Sequence, residues 1–158
     1  MRPNVVILGE APGKEENDHG RPFIGRSGKL LQTILNTVAS SFPGKFRYLI
    51  SNTVACAPWR DTGKIGTPTE EEATACRPWV FKLLRLTRPE LVINLGSVAR
   101  ESYEMYLLPL FDYPYISVYH PAYLLRTGDT LSPHYPRVVR EINEAVEAHC
   151  GVEESKTQ

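Results

Sequence analysis

A chain of 158 residues fits one ordinary domain and is long enough to bury a real core. Its hydrophobic share of 42% and charged share of 23% are those of a soluble globular protein, and its apolar runs are strand-sized, too short to span a membrane. Lys plus Arg equals Asp plus Glu at 18 each, which argues against a strongly basic polyanion binder but leaves room for a local basic rim.

The first strand is expected over residues 5 to 9, from Val5-Val6-Ile7-Leu8 into Gly9. Ser27 is the expected cap of a helix whose apolar stripe is Leu30, Leu31, Ile34, Leu35 and Val38. Tyr48 to Val54 reads as a second strand. Thr67-Pro68-Thr69-Glu70 reads as a helix start, with Thr67 as cap, Pro68 first and Glu70 third. That helix carries acid early and Arg77, Lys82 and Arg85 late, which suits its dipole, and Pro78 is expected to kink it. Leu91 to Leu95 is the third strand, with Gly96-Ser97 opening the next helix, and Tyr115 to Tyr119 is the fourth. Val138, Val139, Ile142, Ala145, Val146 and His149 form the stripe of a last helix.

Strands alternating with helices predict an α/β fold, a three-layer α/β/α doubly wound sheet of mainly four parallel strands. One domain is expected over residues 1–150, followed by a polar tail over 151–158. Cys56, Cys76 and Cys150 are odd in number and sparse, and the start of the chain lacks a signal-peptide pattern, so a cytoplasmic location is expected.

Several loops carry polar residues where strands end. Gly9-Glu10-Ala11-Pro12-Gly13-Lys14 is not a Walker phosphate loop, because three residues rather than four separate its glycines and Glu15 follows Lys14. Pro12 and the glycine spacing also exclude a dinucleotide fingerprint, leaving a tight strand-to-helix turn. Phe23 lies in a loop, either as a core plug or as a stacking platform. Asn52 stands near a strand end, where its carboxamide either bonds a turn or reads a ligand with a donor and an acceptor together. His120, before Pro121, is either a satisfied strand-end histidine or a donor to a ligand. In an open α/β sheet, the carboxyl ends of parallel strands share one edge, so these distant segments can meet around one pocket.

Gly9-Glu10-Ala11-Pro12-Gly13, Glu16, Gly20-Arg21-Pro22-Phe23-Ile24-Gly25 and Ser27-Gly28-Lys29-Leu30-Leu31 closely resemble the first motif of uracil-DNA glycosylases. Asn52-Thr53-Val54-Ala55-Cys56-Ala57-Pro58, Cys76-Arg77-Pro78-Trp79, Asn94-Leu95-Gly96 and His120-Pro121-Ala122-Tyr123-Leu124-Leu125-Arg126 resemble the later landmarks in order. The resemblance covers roughly residues 5 to 130 and is nearest to family 4, whose members usually carry an iron–sulfur cluster.

The resemblance implies a uracil-DNA glycosylase-like fold that extrudes a deoxyuridine and hydrolyses its N-glycosidic bond in base excision repair. On it, Glu10 and Ala11 line the base pocket, Phe23 stacks on the base and Asn52 reads its polar edge. The amide's paired donor and acceptor match the N3–H and O4 of uracil and mismatch cytosine. His120 bonds the O2 that becomes anionic as the base leaves, and Glu16 orients water or stabilises the oxocarbenium-like sugar. Leu124, Leu125 and Arg126 enter the duplex. Arg60 and Lys64, read from their own loop and not from the resemblance, either contact DNA or belong to an exposed mobile loop. The implied partner is uracil-containing DNA, single- or double-stranded, bound by a monomer.

The sequence departs from the family pattern in three places. A four-thiolate cluster needs four cysteines; Cys56 and Cys76 match the family's second pair, but only eight residues precede Gly9, so no cofactor and no metal are expected. Asn17 stands where the family commonly has Asp. Residues 59–67 lack the histidine of the branch that traps DNA covalently, and no lysine is placed for a Schiff base, so monofunctional hydrolysis is expected. The alternatives are a glycosylase for another modified pyrimidine and a non-catalytic module that binds DNA or a replication partner.

Overall fold

Successive side chains of a strand point to opposite faces of its sheet, and four short apolar runs use that rule to feed two cores at once. The computed structural model describes residues 2–11, 14–21, 23–54 and 60–151. Strands β1 (Val5–Gly9), β2 (Tyr48–Asn52), β3 (Leu91–Leu95) and β4 (Tyr115–Val118) are parallel and lie in the order β2-β1-β3-β4. The central strands β1 and β3 are buried throughout, as unbroken apolar runs covered on both faces should be.

Helices α1 (Lys14–His19), α2 (Arg26–Ser41), α3 (Glu70–Thr87), α4 (Gly96–Ser102), α5 (Pro121–Arg126) and α6 (Tyr135–His149) connect and cover the sheet. Val5, Ile7 and Ile93 pack with Leu31, Ile34 and Leu35 of α2 and Val138, Ile142 and Val146 of α6. Val6, Leu8 and Val92 pack with Val80 and Leu84 of α3 and with Tyr103 and Leu107 of a π-helical turn after α4. Each fully buried aliphatic side chain contributes roughly 1.5–3 kcal/mol. The three layers are those expected from the sequence.

Several boundaries differ from the sequence reading. α2 starts at Arg26 with Gly25 as its cap residue and no side-chain cap, so Ser27 lies inside the helix. β2 ends at Asn52, not Val54; beyond it the Thr53 and Val54 amides still donate to the Gly9 and Glu10 carbonyls, at 2.8 and 3.0 Å, and the Thr53 hydroxyl donates to the same two carbonyls, at 3.1 and 2.8 Å. Thr69, not Thr67, caps α3: its Oγ1 accepts from the Glu72 amide at 3.2 Å. α3 continues across Pro78 to a left-handed cap at Arg88, with φ +44°. β4 stops at Val118, and His149 is exposed rather than part of the buried stripe of α6. The tail from residue 152 lies outside the described residues.

The strand order reverses beside β1: the chain leaves it through α2 to β2 on one side and returns through α3 to β3 on the other. Such a switch opens a crevice beyond the carboxyl ends of the strands, where ligands bind.

Candidate active site

Gly9 closes β1 where an aromatic ring and an amide converge. A Cβ placed on Gly9 would lie 2.4 Å from Phe23 Cζ and 2.6 Å from Asn52 Oδ1. Only a residue without a side chain lets both groups cross that strand end. Gly28, inside α2, does the same for the Phe23 backbone, which a Cβ there would approach to 2.0 Å. Phe23 itself has φ +56°, a left-handed conformation that a bulky residue adopts only where its surroundings impose it.

Glu16 on α1 accepts a hydrogen bond from the Gly25 amide at 3.0 Å, which ties the short helix to the segment carrying Phe23. Asn52 ends β2 and is 8% exposed, and its buried Oδ1 has no hydrogen-bond partner among the described residues. An unsatisfied buried amide oxygen costs about 1–3 kcal/mol, so a ligand donor placed there would bind with that penalty relieved.

His120 follows β4 and caps α5. Its Nδ1 accepts from the Ala122 amide at 3.0 Å, which requires Nδ1 to be unprotonated and leaves Nε2 to carry the hydrogen. Burial, and then the positive charge of Arg126, push its pKa below the usual 6.5. The imidazole is therefore a neutral donor. Gly96, at φ +86°, makes room for it: a Cβ there would lie 3.1 Å from His120 Cβ. The rings of Phe23 and His120 face each other with centroids 6.4 Å apart and planes inclined by 30°.

Phe23, Asn52, His120, Glu16, Glu10 and Ala11 line one cavity of about 500 Å³. This is the convergence the sequence reading required. Burial raises the Glu10 pKa above the usual 4.5. Ile65 and Gly66 complete the wall; nothing in a polar, glycine-containing loop marked them beforehand. Gly9 and Gly28 carried a usable signal, because a glycine inside a strand or helix weakens it and so points to a close approach.

The groups expected to contact DNA divide. Leu124 is fully buried in the core between the sheet and α2, so it does not enter a duplex; α5 must bury one face to dock. Leu125 lines the cavity of Phe23 and Asn52, and Arg126 is exposed on an adjoining one of about 610 Å³. Arg60 is held within the chain, with Nη1 2.7 Å from Glu72 and Nη2 donating to the Thr67 carbonyl, so its guanidinium braces the loop instead of reaching outward. Lys64 is exposed at the tip of that loop, and Asn17 is exposed on α1.

The thiols do not fit a four-thiolate cluster within these 158 residues, which hold three cysteines. Cys76 is on α3, whereas Cys150 is buried against the opposite face of the sheet, its thiol pushed up to about 11 by burial. Cys56 and Trp59 lie outside the described residues.

Residues 1–147 match the family described as the uracil DNA glycosylase superfamily. The chain belongs to that superfamily. Among curated relatives it is similar to the Type-4 uracil-DNA glycosylase of Thermotoga maritima, 31% identical over 134 residues, covering 77% of this chain and 66% of the relative. The protein of the same name from Pyrobaculum aerophilum is 34% identical over 102 residues, covering 65% of this chain and 48% of the relative. That from Archaeoglobus fulgidus is 30% identical over 114 residues, covering 72% and 52%. This member of the superfamily thus spans about half to two thirds of the length of these relatives.

Proposed function

We propose that this chain removes uracil from DNA by hydrolysing the N-glycosidic bond of an extruded deoxyuridine, leaving an abasic site. The observation that carries this reading is the single cavity shared by Phe23, Asn52 and a neutral His120. A flipped base stacks on Phe23. Its N3–H donates to the orphaned Asn52 Oδ1, and the Asn52 amide group donates to O4. Cytosine reverses that donor–acceptor order and leaves the buried amide mismatched. Extrusion costs a few kcal/mol, offset by stacking and edge contacts.

As the bond breaks, negative charge collects on uracil O2 while the sugar becomes cationic. His120 Nε2–H stabilises that oxygen, a contribution of roughly 3 kcal/mol by analogy with other oxyanion donors. A neutral imidazole suits the task, because no proton need be delivered from a group whose pKa is depressed. Glu16, fixed by the Gly25 amide, faces the sugar and orients water or balances its developing charge. Leu125, Arg126 and Lys64 remain as DNA contacts around the mouth. The protein acts as a monomer, and its few cysteines suit the cytoplasm. No helix among the described residues is long and apolar enough to cross a membrane.

The test is excision from single- and double-stranded oligonucleotides holding one uracil, read as alkali-labile abasic sites. Binding without abasic-site formation, even at high protein concentration, would replace the enzyme with a binding module. Equal excision of 5-substituted pyrimidines would assign a different damaged base.

A further inference from the structure

His120 stands on a partition. The cavity of Phe23 and Asn52 on one side and the larger cavity on the other share Glu10, His120 and Ala122. The larger one is not needed to hold a base, yet the same strand end that delivers His120 inward delivers Tyr119 to it. Tyr119 is 37% exposed, and among the described residues its hydroxyl makes no hydrogen bond. Its ring is held at fixed inclination by two others: Tyr123 of α5, with centroids 4.8 Å apart, and His134, edge-on at 5.0 Å. Tyr123 in turn meets His134, hydroxyl to Nε2, at 3.4 Å. Three rings thus brace one another, and the outermost is left partly bare.

Three guanidinium groups and two carboxylates line this cavity, Glu10 on the wall shared with the first site and Glu141 at the rim. Arg100 and Arg126 line the cavity and have no carboxylate partner among the described residues. Arg137 stands over the same ring, with Cζ 5.6 Å from the Tyr119 centroid, within cation–π range. Its Nε is held 2.6 Å from Glu141, the rim acid, so that carboxylate is already neutralised. An aromatic face with guanidinium groups beside it is the combination that holds an unpaired nucleotide: the ring takes the base and the cations take the phosphodiester.

We propose that this second cavity is a stacking site for the nucleobase adjoining the extruded uridine in the same strand, with Tyr119 as its platform and Arg100 and Arg126 on the linking phosphates. This rests on the glycosylase reading for the identity of the first base and adds the neighbour to it. The shared wall at His120 is what ties the two sites: a strand whose uracil lies against one side of that residue carries its next base to the other. The site favours single-stranded or locally opened DNA, because a base still paired in a duplex cannot lie on Tyr119.

A binding cycle tests this on the full chain. A labelled single-stranded oligonucleotide carries one 2′-fluorinated deoxyuridine, which resists hydrolysis, and its affinity is read by fluorescence anisotropy. In two further oligonucleotides an abasic spacer replaces the base on the 5′ or the 3′ side. One of the two spacers should weaken binding roughly tenfold. Tyr119→Ala and Tyr119→Leu should weaken binding of the intact strand by a similar factor, and the spacer should then cost nothing more. Tyr119→Phe should match the native protein. Leu preserves the packing on Tyr123 and His134 but lacks a flat π face, so a loss there reports stacking rather than collapse of the ring cluster. The site is overturned if neither spacer weakens binding, or if spacer and Tyr119 substitutions add independently. Excision from a natural uracil oligonucleotide, measured in parallel, separates the two readings. Coupling without excision rejects the glycosylase and keeps the strand site; excision without coupling rejects the strand site alone.

Discussion

In the cavity of Phe23, Asn52 and His120 the amide is buried and backbone amides hold His120 and Glu16, whereas in the neighbouring cavity of Tyr119 and Tyr123 the rings are partly bare and the guanidinium groups of Arg100 and Arg126 lack acid partners among the described residues. The first arrangement leaves little to reorganise when charge develops, which is what transition-state stabilisation requires. The second tolerates any base and responds to salt, which is what holding a strand requires. One strand end, at Tyr119-His120, serves both. Substitutions on the two sides should therefore separate turnover from binding.

The largest effect is expected at His120. His120→Ala should lower single-turnover excision by about 10²–10³-fold while changing affinity for uncleavable DNA little. Equal losses in affinity and turnover would assign it to binding and erase the contrast between the cavities. Asn52→Asp tests the readout beside it. An ionised carboxylate cannot donate to O4, so excision of uracil should fall by a comparable factor. Unchanged excision would remove Asn52 from the base.

Next come the glycines that let the first cavity form. Gly28→Ala forces a methyl group onto the Phe23 backbone, at a built distance of 2.0 Å. The cost should be about 1–3 kcal/mol in denaturant unfolding, with excision lowered as Phe23 shifts. Gly44→Ala is not an equal control, because its φ of +74° brings strain of its own. A surface helix change such as Ser40→Ala serves instead and should leave both measurements unaltered.

The fold was legible in the sequence because β1 and β3 are unbroken apolar runs and the stripes of α2 and α6 keep helical spacing. The convergence of Phe23, Asn52 and His120 was legible because parallel strands share a carboxyl edge. What stayed hidden depends on distances between segments remote in sequence. Leu124 sits one residue before a cavity-lining neighbour, and nothing in the string says which of the two turns inward. Arg60 reads as a free loop cation until Glu72 is seen beside it. Thr67 and Thr69 are both credible caps, and only the bond to the Glu72 amide chooses between them.

A pH series gives a smaller and more graded effect. The His120 value in the folded chain lies below the 6.5 of an unconstrained imidazole. As pH falls through 6.5, the unfolded chain takes up a proton that the native chain refuses, so native stability declines. That decline stops growing once the folded value is reached. Activity should follow the folded value alone: the acid limb of the excision profile assigned to His120 should fall below pH 6.5, where Nδ1 protonates and breaks the Ala122 contact. His120→Gln, which has no titrating group, should lose that limb. An inflection retained in that variant would move the titration elsewhere, with the half-buried Glu10 as the next group facing both cavities.

The smallest effect should come from Arg60, and it sharpens what the first cavity owes to its outer wall. Its pair with Glu72 is partly exposed and screened by water, so Arg60→Ala should barely alter the unfolding midpoint. The same guanidinium holds the Thr67 carbonyl and packs so closely on Gly66 that a Cβ there would lie 2.9 Å from Nε. Ile65 and Gly66 form part of the cavity wall, so loosening them should raise KM severalfold with kcat retained. The opposite pattern, kcat lowered with KM unchanged, would mean that this loop moves during the chemical step, and the contrast between a fixed cavity and an adaptable one would then run through the first cavity itself.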